Sequence, residues 1–350
     1  VEGIPFQRGV LNEATNAGKT LIAASIFATY PDDMKLIFVV NREHLYKQIR
    51  EELPELIDKR EIGYIGSDGV KWGRFMVCMA QTLSKGNYTD KLDQFDICII
   101  DECHYSSSAT YKYILAHLEN CSVRVGMSGT PFKHKDKNKN EKILSFFGPE
   151  THSTSNQDLI EAGWSTKPVV TVVNGNTKIK IPGDHIEEQN KGLIFSKERN
   201  GRVIKRCKHH VKNGRYPLLL VCKFHNHTEL LYKKVKKAFP ELRVNYIHVK
   251  VKNRLKILKD FKEGKIDILV SSKLIKEGQN LPLIRALVLA AGGDSLIDLL
   301  QIIGRALRKH KSKKLVYIDD FKDVGTYLGR HSKHRIKELK KQGFKVIEKA

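Results

Sequence analysis

The order of four short motifs constrains this chain more than any other feature of its sequence. In chain order they are AGKT at 17–20, DECH at 101–104, GMSGTP at 126–131 and QIIGRALR at 301–308. The first three each follow a short apolar run, and helix-period segments alternate with such runs. This alternation predicts a parallel α/β architecture, in which the carboxyl ends of the strands carry the functional residues.

The alternation extends through both halves of the chain. Apolar runs rich in β-branched residues predict strands at Val10–Leu11, Lys35–Val40, Arg74–Met79, Phe95–Ile100, Ser122–Met127, Tyr216–Val221, Val244–Ile247, Ile266–Val270, Ala286–Ala290 and Lys314–Ile318. Helical periodicity predicts helices at Lys19–Tyr30, Glu43–Leu53 and Thr228–Phe239.

The length of 350 residues is too great for one ordinary core and predicts two domains, 1–155 and 156–350. The boundary is placed after KHKDKNKNEK at 133–142, which we interpret as a mobile loop, and at NQDLIEAGWSTKP, 156–168, which predicts a short amphipathic helix. The stretch at 331–349 carries seven Lys and Arg against two Glu. It fits a helix that touches nucleic acid equally well as a solvated terminal helix.

The charge of the chain is divided unequally between its halves. The net charge is +23 with a pI near 9.6, which indicates a polyanionic partner. Residues 1–150 carry 19 Lys and Arg against 20 Asp and Glu, a net charge of −1. Residues 151–350 carry 43 against 19, a net charge of +24, so the attraction for a polyanion lies almost entirely in the second half.

The cysteines predict buried free thiols. The six lie at 78, 98, 103, 121, 207 and 222, with no CxxC pair, which favours a reducing, cytoplasmic compartment. The apolar stretch LPLIRALVLAAGG at 281–293 is interrupted by Arg285, so we predict no membrane association. The chain has no initiator Met and starts one strand before AGKT, so we expect the natural protein to begin earlier.

AGKT has the composition of a phosphate-binding loop. It follows a predicted strand and opens a predicted helix, whose N-terminal amides attract anions. Gly18 lets the backbone approach phosphates, Lys19 contacts the β- and γ-phosphates, and Thr20 ligates Mg²⁺ in such loops. Glu13 and Asn16 depart from the usual pattern, which has small residues or glycines at their positions. ATP with Mg²⁺ is therefore the predicted cofactor.

DECH supplies two carboxylates directly after a predicted strand. In a nucleotide hydrolase Asp101 would hold Mg²⁺, and Glu102 would orient or deprotonate the attacking water. The alternative is a surface acidic pair in a loop, which the coincidence with a strand and a phosphate loop disfavours.

The last two motifs predict coupling and a transition-state contact. In GMSGTP, the hydroxyls of Ser128 and Thr130 can link the nucleotide site to its surroundings by hydrogen bonds. In QIIGRALR, Gln301, Arg305 and Arg308 fall at i, i+4 and i+7, which predicts one helix face. Arginines aimed from one face across a cleft are the geometry of an arginine finger.

In combination these segments resemble motifs I, II, III and VI of the superfamily 2 helicases. Further segments resemble motifs Ia (VVNREHLYKQ, 39–48), Ib (MAQTLSK, 79–85), IV (LLLVCKFHNHTELL, 218–231) and V (VSSKLIKEGQNLP, 270–282). TNAGKT and EGQNLP are most similar to phage UvsW-type helicases, which remodel branched DNA and R-loops. The resemblance implies two tandem RecA-like domains with parallel sheets and an ATP cleft between them.

The resemblance also implies roles for individual residues. Nucleotide would be held by Thr15, Asn16, Ala17, Gly18, Lys19, Thr20, Gly278 and Asn280. Nucleic acid would be held by Asn41, Arg42, Gln81, Thr82, Ser271, Ser272 and Lys273. His104, with Ser128 and Thr130, would couple the two, although His104 could also be a packing histidine.

The resulting prediction is an ATP-dependent DNA helicase or translocase that unwinds or branch-migrates forks, junctions and R-loops, with RNA as a further partner in R-loops. We expect a monomer. One alternative is a nucleic-acid-stimulated translocase that never separates strands, and another is an RNA helicase. A binding scaffold with an inactive ATP site is disfavoured because Lys19, Asp101, Glu102, Arg305 and Arg308 are all present.

Overall fold

The chain divides into two compact units in a computed structural model, Val1–Ser155 (unit 1) and Asn156–Ala350 (unit 2). The structure describes residues 7–86, 88–132, 136–175, 185–272, 281 and 283–349. Among the described helices, none is both long and apolar enough to cross a membrane. All six cysteines are free and buried, as predicted.

Unit 1 contains an eight-stranded sheet in the order β4-β3-β5-β2-β6-β7-β1-β8. Its strands are β1 (Gln7–Glu13), β2 (Leu36–Val40), β3 (Ile62–Gly66), β4 (Gly69–Lys71), β5 (Phe75–Met79), β6 (Ile97–Asp101), β7 (Val123–Ser128) and β8 (Glu150–Thr154). Its helices are α1 (Lys19–Thr29), α2 (Glu43–Glu52), α3 (Ala80–Leu83), α4 (Ala109–Ala116) and α5 (Lys137–Phe147), with 3₁₀ turns at Leu53–Glu55, Thr89–Lys91 and Cys103–Tyr105. All of its strand pairs are parallel except the β3–β4 hairpin.

Unit 2 contains a seven-stranded parallel sheet in the order β11-β12-β10-β13-β14-β9-β15. Its strands are β9 (Lys167–Asn174), β10 (Leu218–Val221), β11 (Val244–Ile247), β12 (Ile268–Ser271), β13 (Ala286–Leu289), β14 (Leu315–Lys322) and β15 (Val346–Lys349). Its helices are α6 (Asn156–Glu161), α7 (His185–Gln189), α8 (Lys197–Lys212), α9 (His225–Ala238), α10 (Arg254–Lys262), α11 (Leu296–Ala306) and α12 (Thr326–Lys341), with a π-helical turn at Asn190–Ile194.

Helices cover both faces of each sheet because the central strands are apolar on both sides. Along β2 every side chain is buried, and successive residues point to opposite faces. Phe38 packs with Phe27 of α1 on one face, whereas Val39 belongs to the cluster on the other face that contains Ile114 of α4. The predicted α/β architecture with two parallel sheets is confirmed.

The lysine-rich segment at 133–142 was predicted to be a mobile loop, and this is wrong for its described part. Residues 137–142 form the first half of α5, while 133–135 lie outside the described residues. The carboxylate of Asp136 caps the helix by accepting from the Asn138 amide at 3.0 Å. Ile143 and Phe147 are buried against the sheet, so an apolar stripe fixes a helix whose lysines face solvent.

Of the two interpretations of the basic stretch near the C-terminus, the solvated terminal helix is wrong, and contact with nucleic acid stays a prediction. The stretch forms most of α12, in which Leu328 and Leu339 are fully buried. Arg335 is also buried and donates to both carboxylate oxygens of Asp320 on β14, at 2.9 and 3.1 Å. This helix is therefore a packed layer of unit 2, and its remaining lysines form the outer face.

Candidate active site

The carboxyl ends of β1, β6 and β7 meet at one edge of the unit 1 sheet. The strands are neighbours in the order β6-β7-β1, and their register pairs Asp101 with Met127 and Asn12 with Ser128. Three of the four sequence motifs leave the sheet here, and open parallel sheets bind ligands at such an edge.

The loop that joins β1 to α1 has the backbone of an anion cradle. Asn16 and Gly18 adopt left-handed conformations, with φ of 80° and 78°. A Cβ at Gly18 would meet only Leu21 Cβ at 3.9 Å, so the conformation rather than space favours glycine there. Asparagine tolerates this conformation better than most residues, which accounts for the departure at Asn16.

The second departure from the usual pattern, Glu13, has an internal partner. Its side chain is buried at the end of β1, and one carboxylate oxygen lies 2.8 Å from Nδ1 of His152 on β8. The histidine therefore satisfies a buried carboxylate that would otherwise lie unpaired beside the loop.

Lys19 is held between the two carboxylates of the second motif. Its Nζ lies 2.7 Å from Asp101 Oδ1 and 2.8 Å from Glu102 Oε1. Glu102 adopts a left-handed conformation, with φ 52° and ψ 51°, which is uncommon outside glycine. Strained residues of this kind gather at functional sites.

The charges in this cluster shift one another's protonation. Burial alone would lower the pKa of Lys19, but the carboxylates of Asp101 and Glu102 outweigh burial and raise it. Burial alone would raise the pKa of Glu102, but Lys19 and His104 hold it well below its ordinary value. Burial raises the pKa of Asp101, and Lys19 offsets only part of that increase.

His104 and Ser128 form the next layer behind Glu102. Nδ1 of His104 lies 2.9 Å from Ser128 Oγ and 3.2 Å from Glu102 Oε2. The Ser128 hydroxyl donates to the same carboxylate oxygen at 3.2 Å and accepts from the Thr130 amide at 3.1 Å. His104, Ser128 and Thr130 are all buried, so a fixed network orients one oxygen of Glu102 and leaves the other toward Lys19.

The residues at this edge fit a nucleotide with Mg²⁺. Gly18 is the N-cap of α1 and has no side chain to occupy the first amides of the helix, so these amides are open to phosphate oxygens. The Asp101 carboxylate and the Thr20 hydroxyl are oxygen donors of the kind that Mg²⁺ prefers. Lys19 carries the positive charge that phosphate requires.

The candidate nucleic-acid residues of unit 1 lie close together. Gln81 at the start of α3 donates through Nε2 to the Asn41 carbonyl at 3.3 Å, which joins two motifs 40 residues apart. Arg42 and Gln81 are exposed, and Thr82 is half-buried. The structure therefore assembles a polar surface from the ends of β2 and β5.

Tyr105 is a candidate that the sequence reasoning missed. The Arg42 guanidinium lies 6.0 Å from the centroid of the Tyr105 ring, and this ring lies 4.1 Å from the ring of His104. A short line of contacts thus runs from an exposed arginine to the partner of Glu102. The signal available in the sequence was an aromatic residue directly after DECH.

The prediction that Gln301, Arg305 and Arg308 share one helix face is wrong for Arg308. The helix α11 ends at Ala306, so Gln301 and Arg305 lie within it and Arg308 lies beyond its end. Thr166 supplies hydrogen bonds to the carbonyls beyond the end of the helix. Its amide donates to the Leu307 carbonyl at 2.7 Å, and its hydroxyl donates to the Arg308 carbonyl at 3.3 Å. Arg305 is buried and Arg308 is half-buried.

The candidate residues of motif V lie only partly within the described residues. Lys273, Gly278 and Asn280 lie outside the described residues. Ser271 at the end of β12 is fully buried, and its hydroxyl donates to the Ser272 carbonyl at 2.6 Å. The predicted contact between Ser271 and a nucleic-acid backbone is therefore not supported by its side chain, which has an internal partner; Ser272 is also buried.

Two buried arginines that sequence reasoning missed hold the segment before α11. Arg199 of α8 donates to Asp323 Oδ1 at 2.8 Å and to the Ala290 carbonyl at 3.0 Å. Arg335 of α12 donates to the Gly293 carbonyl at 2.8 Å in addition to Asp320. The connection from β13 to α11, which sets where Arg305 lies, is thus fixed from two sides.

Two family profiles match the chain. The family described as type III restriction enzyme, res subunit, matches residues 5–133, and the helicase conserved C-terminal domain matches residues 178–310. Together they span most of the chain and contain all four motifs.

Known proteins are similar over nearly the whole chain. ATP-dependent DNA helicase uvsW of Enterobacteria phage T4 is 25% identical over 92% of this chain and 66% of its own length. A candidate helicase, number 22, of Sulfolobus islandicus filamentous virus is 26% identical over 89% of this chain and 60% of its own length. The chain belongs to the superfamily 2 helicases.

The solved structures agree on the fold of this helicase. A fragment of a candidate HsdR subunit of a type I restriction enzyme from Vibrio vulnificus has a TM-score of 0.73 at 20% identity, covering 98% of this chain and 64% of that one. The chain spans less than two thirds of the length of the two viral helicases.

Proposed function

We propose that this chain is the motor of an ATP-dependent DNA helicase that unwinds or branch-migrates forks, junctions and R-loops. The observation that carries the proposal is the cluster of Lys19, Asp101 and Glu102, with contacts of 2.7 and 2.8 Å, at the carboxyl edge of the unit 1 sheet. A lysine between two carboxylates beside an open helix N-terminus is suited to nucleotide hydrolysis.

The proposed ATP site uses the loop Thr15, Asn16, Ala17, Gly18, Lys19 and Thr20, and Thr20 and Asp101 would hold Mg²⁺. When bound, the nucleotide supplies the γ-phosphoryl group whose transfer to water releases the free energy. Gly278 and Asn280 are proposed nucleotide contacts by their motif alone, since they lie outside the described residues.

Glu102 is the proposed group that orients the attacking water. Its lowered pKa keeps it ionised at neutral pH, so it accepts hydrogen bonds through both oxygens. Ser128 and His104 hold Oε2, which leaves Oε1, now contacting Lys19, as the oxygen that would accept a hydrogen bond from the water. Gln301, Arg305 and Arg308 are the proposed contacts to transition-state charge.

The coupling of hydrolysis to nucleic acid is proposed to run through His104. This residue contacts Glu102 and Ser128 on one side and the ring of Tyr105 on the other. Tyr105 in turn lies under Arg42, one of the proposed nucleic-acid contacts with Asn41, Gln81, Thr82, Ser272 and Lys273. A shift of the bound strand at Arg42 would therefore be transmitted through Tyr105 and His104 to the Glu102 carboxylate.

DNA as the substrate is supported by the similarity to the phage T4 relative, an ATP-dependent DNA helicase. The resemblance of TNAGKT and EGQNLP to UvsW-type motors favours branched substrates. The net charge of +24 in residues 151–350 supports nucleic acid of either kind. An RNA helicase and a translocase that leaves duplexes intact are the competing proposals.

A substrate panel tests the proposal. Strand separation is measured with ATP on a fork, a four-way junction, an R-loop, a blunt DNA duplex and an RNA duplex, with Glu102→Gln as the inactive control. We expect remodelling of the three branched substrates by the wild type alone. Equal or faster separation of the RNA duplex would support the RNA helicase. ATP hydrolysis without any strand separation would support the simple translocase.

A further inference from the structure

A groove of about 590 Å³ lies at the amino edge of the unit 2 sheet, opposite the edge at which β12 ends with Ser271. Five lysines line it: Lys167, Lys309, Lys313, Lys314 and Lys345. No motif of the helicase resemblance includes these residues. Its lining includes none of the candidate site residues, although Ser165 and Thr166 pair with the backbone of Arg308.

The sequence places three of these lysines near the amino ends of three neighbouring strands. Lys167 is the first residue of β9, and Lys314 and Lys345 directly precede β14 and β15. The strands are parallel neighbours in the order β14-β9-β15. The register pairs Leu315 with Lys167 and Val346 with Val170, so Lys314 lies one residue before the level of Lys167 and Lys345 lies two residues beyond it. The three lysines therefore cluster at this edge of the sheet at different levels along the strands.

The positive charge of the groove is largely uncompensated. Within the described part of the chain, Lys167, Lys309, Lys314 and Lys345 form no ion pair. Glu161, an acid in the lining, is held by Gln157 through a hydrogen bond of 2.6 Å.

A second groove of about 630 Å³, at the carboxyl edge of the same sheet, is also lined by basic side chains. Its Lys322 lies 3.3 Å from Glu348 and its His334 lies 3.2 Å from Asp294, whereas its Arg330 and Lys333 form no ion pair within the described residues. The amino-edge groove differs in that none of its five lysines forms an ion pair in the part of the chain that the structure describes.

An exposed aromatic residue lies next to one of the groove lysines. Trp164 is 67% exposed and directly precedes Ser165 of the groove lining. A Cβ on the neighbouring Gly163 would lie 3.7 Å from Lys309 Nζ, which places the Trp164 segment next to that lysine. Large exposed tryptophans are unusual on monomeric surfaces and often mark binding sites.

We propose that this groove binds a second stretch of single-stranded nucleic acid, the strand displaced when the duplex opens. Clustered lysines neutralise backbone phosphates without reading sequence, and an exposed aromatic ring stacks on unpaired bases. A duplex has no unpaired base to stack on Trp164, so it would contact the lysines of the groove alone. The identity of the strand rests on the proposed function; binding of single strands to the groove does not.

Tryptophan fluorescence tests the groove without ATP. The chain has two tryptophans, so Trp72→Phe leaves Trp164 as the sole reporter. The full-length variant is titrated with a single-stranded oligodeoxynucleotide and with a blunt duplex over a series of salt concentrations. We expect the single strand to change Trp164 emission to saturation and the duplex to change it less.

A matched pair of charge variants assigns the signal. In the Trp72→Phe background, the groove variant replaces Lys167, Lys309, Lys314 and Lys345 with Gln, and the control variant replaces Lys208, Lys212, Lys233 and Lys237, exposed residues of α8 and α9. Both lose the same charge. We expect the log–log salt slope to fall by roughly 0.7 for each lost phosphate contact in the groove variant only. Equal slopes in both variants, or no change in Trp164 emission at saturating single strand, would overturn the groove.

A second measurement tests the assignment to the displaced strand. For it, the groove and control substitutions are made in the chain that keeps both tryptophans. ATP-driven separation is compared on a duplex with two single-stranded tails and on one with a single tail. We expect the groove variant to lose the advantage of the second tail while keeping the single-strand-stimulated ATPase of the control. A retained advantage would overturn the assignment to the displaced strand. Absence of stimulated ATPase in the wild type would instead contradict the proposed function and leave the fluorescence result standing.

Discussion

Both units use the same architecture, a parallel sheet with helices on both faces, but they bury charge differently. In unit 1 the buried ions gather around Lys19 at the carboxyl edge, and Lys19 and Glu102 each keep 19% of their side chains exposed. In unit 2 the Arg199–Asp323 pair is fully enclosed and fixes a connection between elements. Buried charge is thus open to ligands in one unit and structural in the other.

The net charge, in contrast, is concentrated in the second half of the chain. Residues 1–150 are nearly neutral, at −1, while residues 151–350 carry +24. Unit 1 therefore has the chemistry for phosphate hydrolysis, and the basic half has the long-range attraction for a polyanion. The following experiments probe this division, beginning with the largest expected effect.

Lys19→Ala and Glu102→Gln should each reduce ATP hydrolysis below detection while nucleic-acid binding survives. Both residues belong to the phosphate cluster, whereas most of the basic charge lies beyond residue 150. Hydrolysis rates and binding isotherms are compared with those of Glu141→Gln, an exposed acid of α5. Near wild-type turnover in either variant would remove unit 1 as the catalytic unit.

Arg308→Ala should bind ATP almost normally and hydrolyse it roughly 10³–10⁵-fold more slowly, because an arginine finger acts on transition-state charge. The reference is Arg254→Ala, an exposed arginine at the start of α10. Single-turnover hydrolysis and nucleotide affinity separate the two effects. Weaker nucleotide binding at unchanged turnover would show that Arg308 is a binding residue.

Arg335→Met should lower the free energy of unfolding by about 3–5 kcal/mol, because it leaves buried Asp320 without its cation. Arg243→Met breaks the pair with Asp267, whose arginine is mostly exposed, and should lower the free energy of unfolding much less, because solvent screens an exposed ion pair. Chemical denaturation of both variants measures the difference. Equal costs would mean that the enclosed pairs of unit 2 are not structural.

The buried Lys313 should make stability depend on alkaline pH. Its Nζ donates to the Ala306 carbonyl at 2.8 Å, and burial lowers its pKa from 10.5 to about 8. Between these values the unfolded chain binds the extra proton, so stability rises with pH across this window. Relative to Lys313→Met, the wild type should gain at most about 3 kcal/mol.

Chemical denaturation on either side of pH 8 measures this gain, with the exposed Lys311→Met as the control. A stability difference between wild type and Lys313→Met that stays constant across the window would show that Lys313 remains charged in the folded protein. The same result would mean that the floor of the amino-edge groove is more solvated than its geometry indicates.

The sequence predicted the elements that have a strong apolar pattern and missed those that do not. The strands after which the motifs lie have apolar cores, and their order could be read directly. β8 is polar and exposed, ETHST, and is recruited by pairing with β1 rather than by its own composition. α5 was hidden by its lysines, although its N-cap and two apolar residues decide its structure.

The residue types of the candidate site could be predicted from the sequence, whereas their geometry could be predicted only in part. Lys19, Asp101 and Glu102 were expected to meet because their strands end at one edge. The end of α11 before Arg308 depends on Thr166, which lies 142 residues away, and no local pattern announces it. The same holds for Arg199 and Asp323, which are 124 residues apart.

The ATP hydrolysis rate of the full chain, measured with and without single-stranded DNA over a salt series, tests the division of labour most directly. We predict slow hydrolysis alone, strong stimulation by DNA that weakens steeply as salt rises, and no hydrolysis in Glu102→Gln under any condition. The salt dependence reflects the phosphate contacts of the basic half. Hydrolysis that is indifferent to nucleic acid, or that persists in Glu102→Gln, would contradict the account.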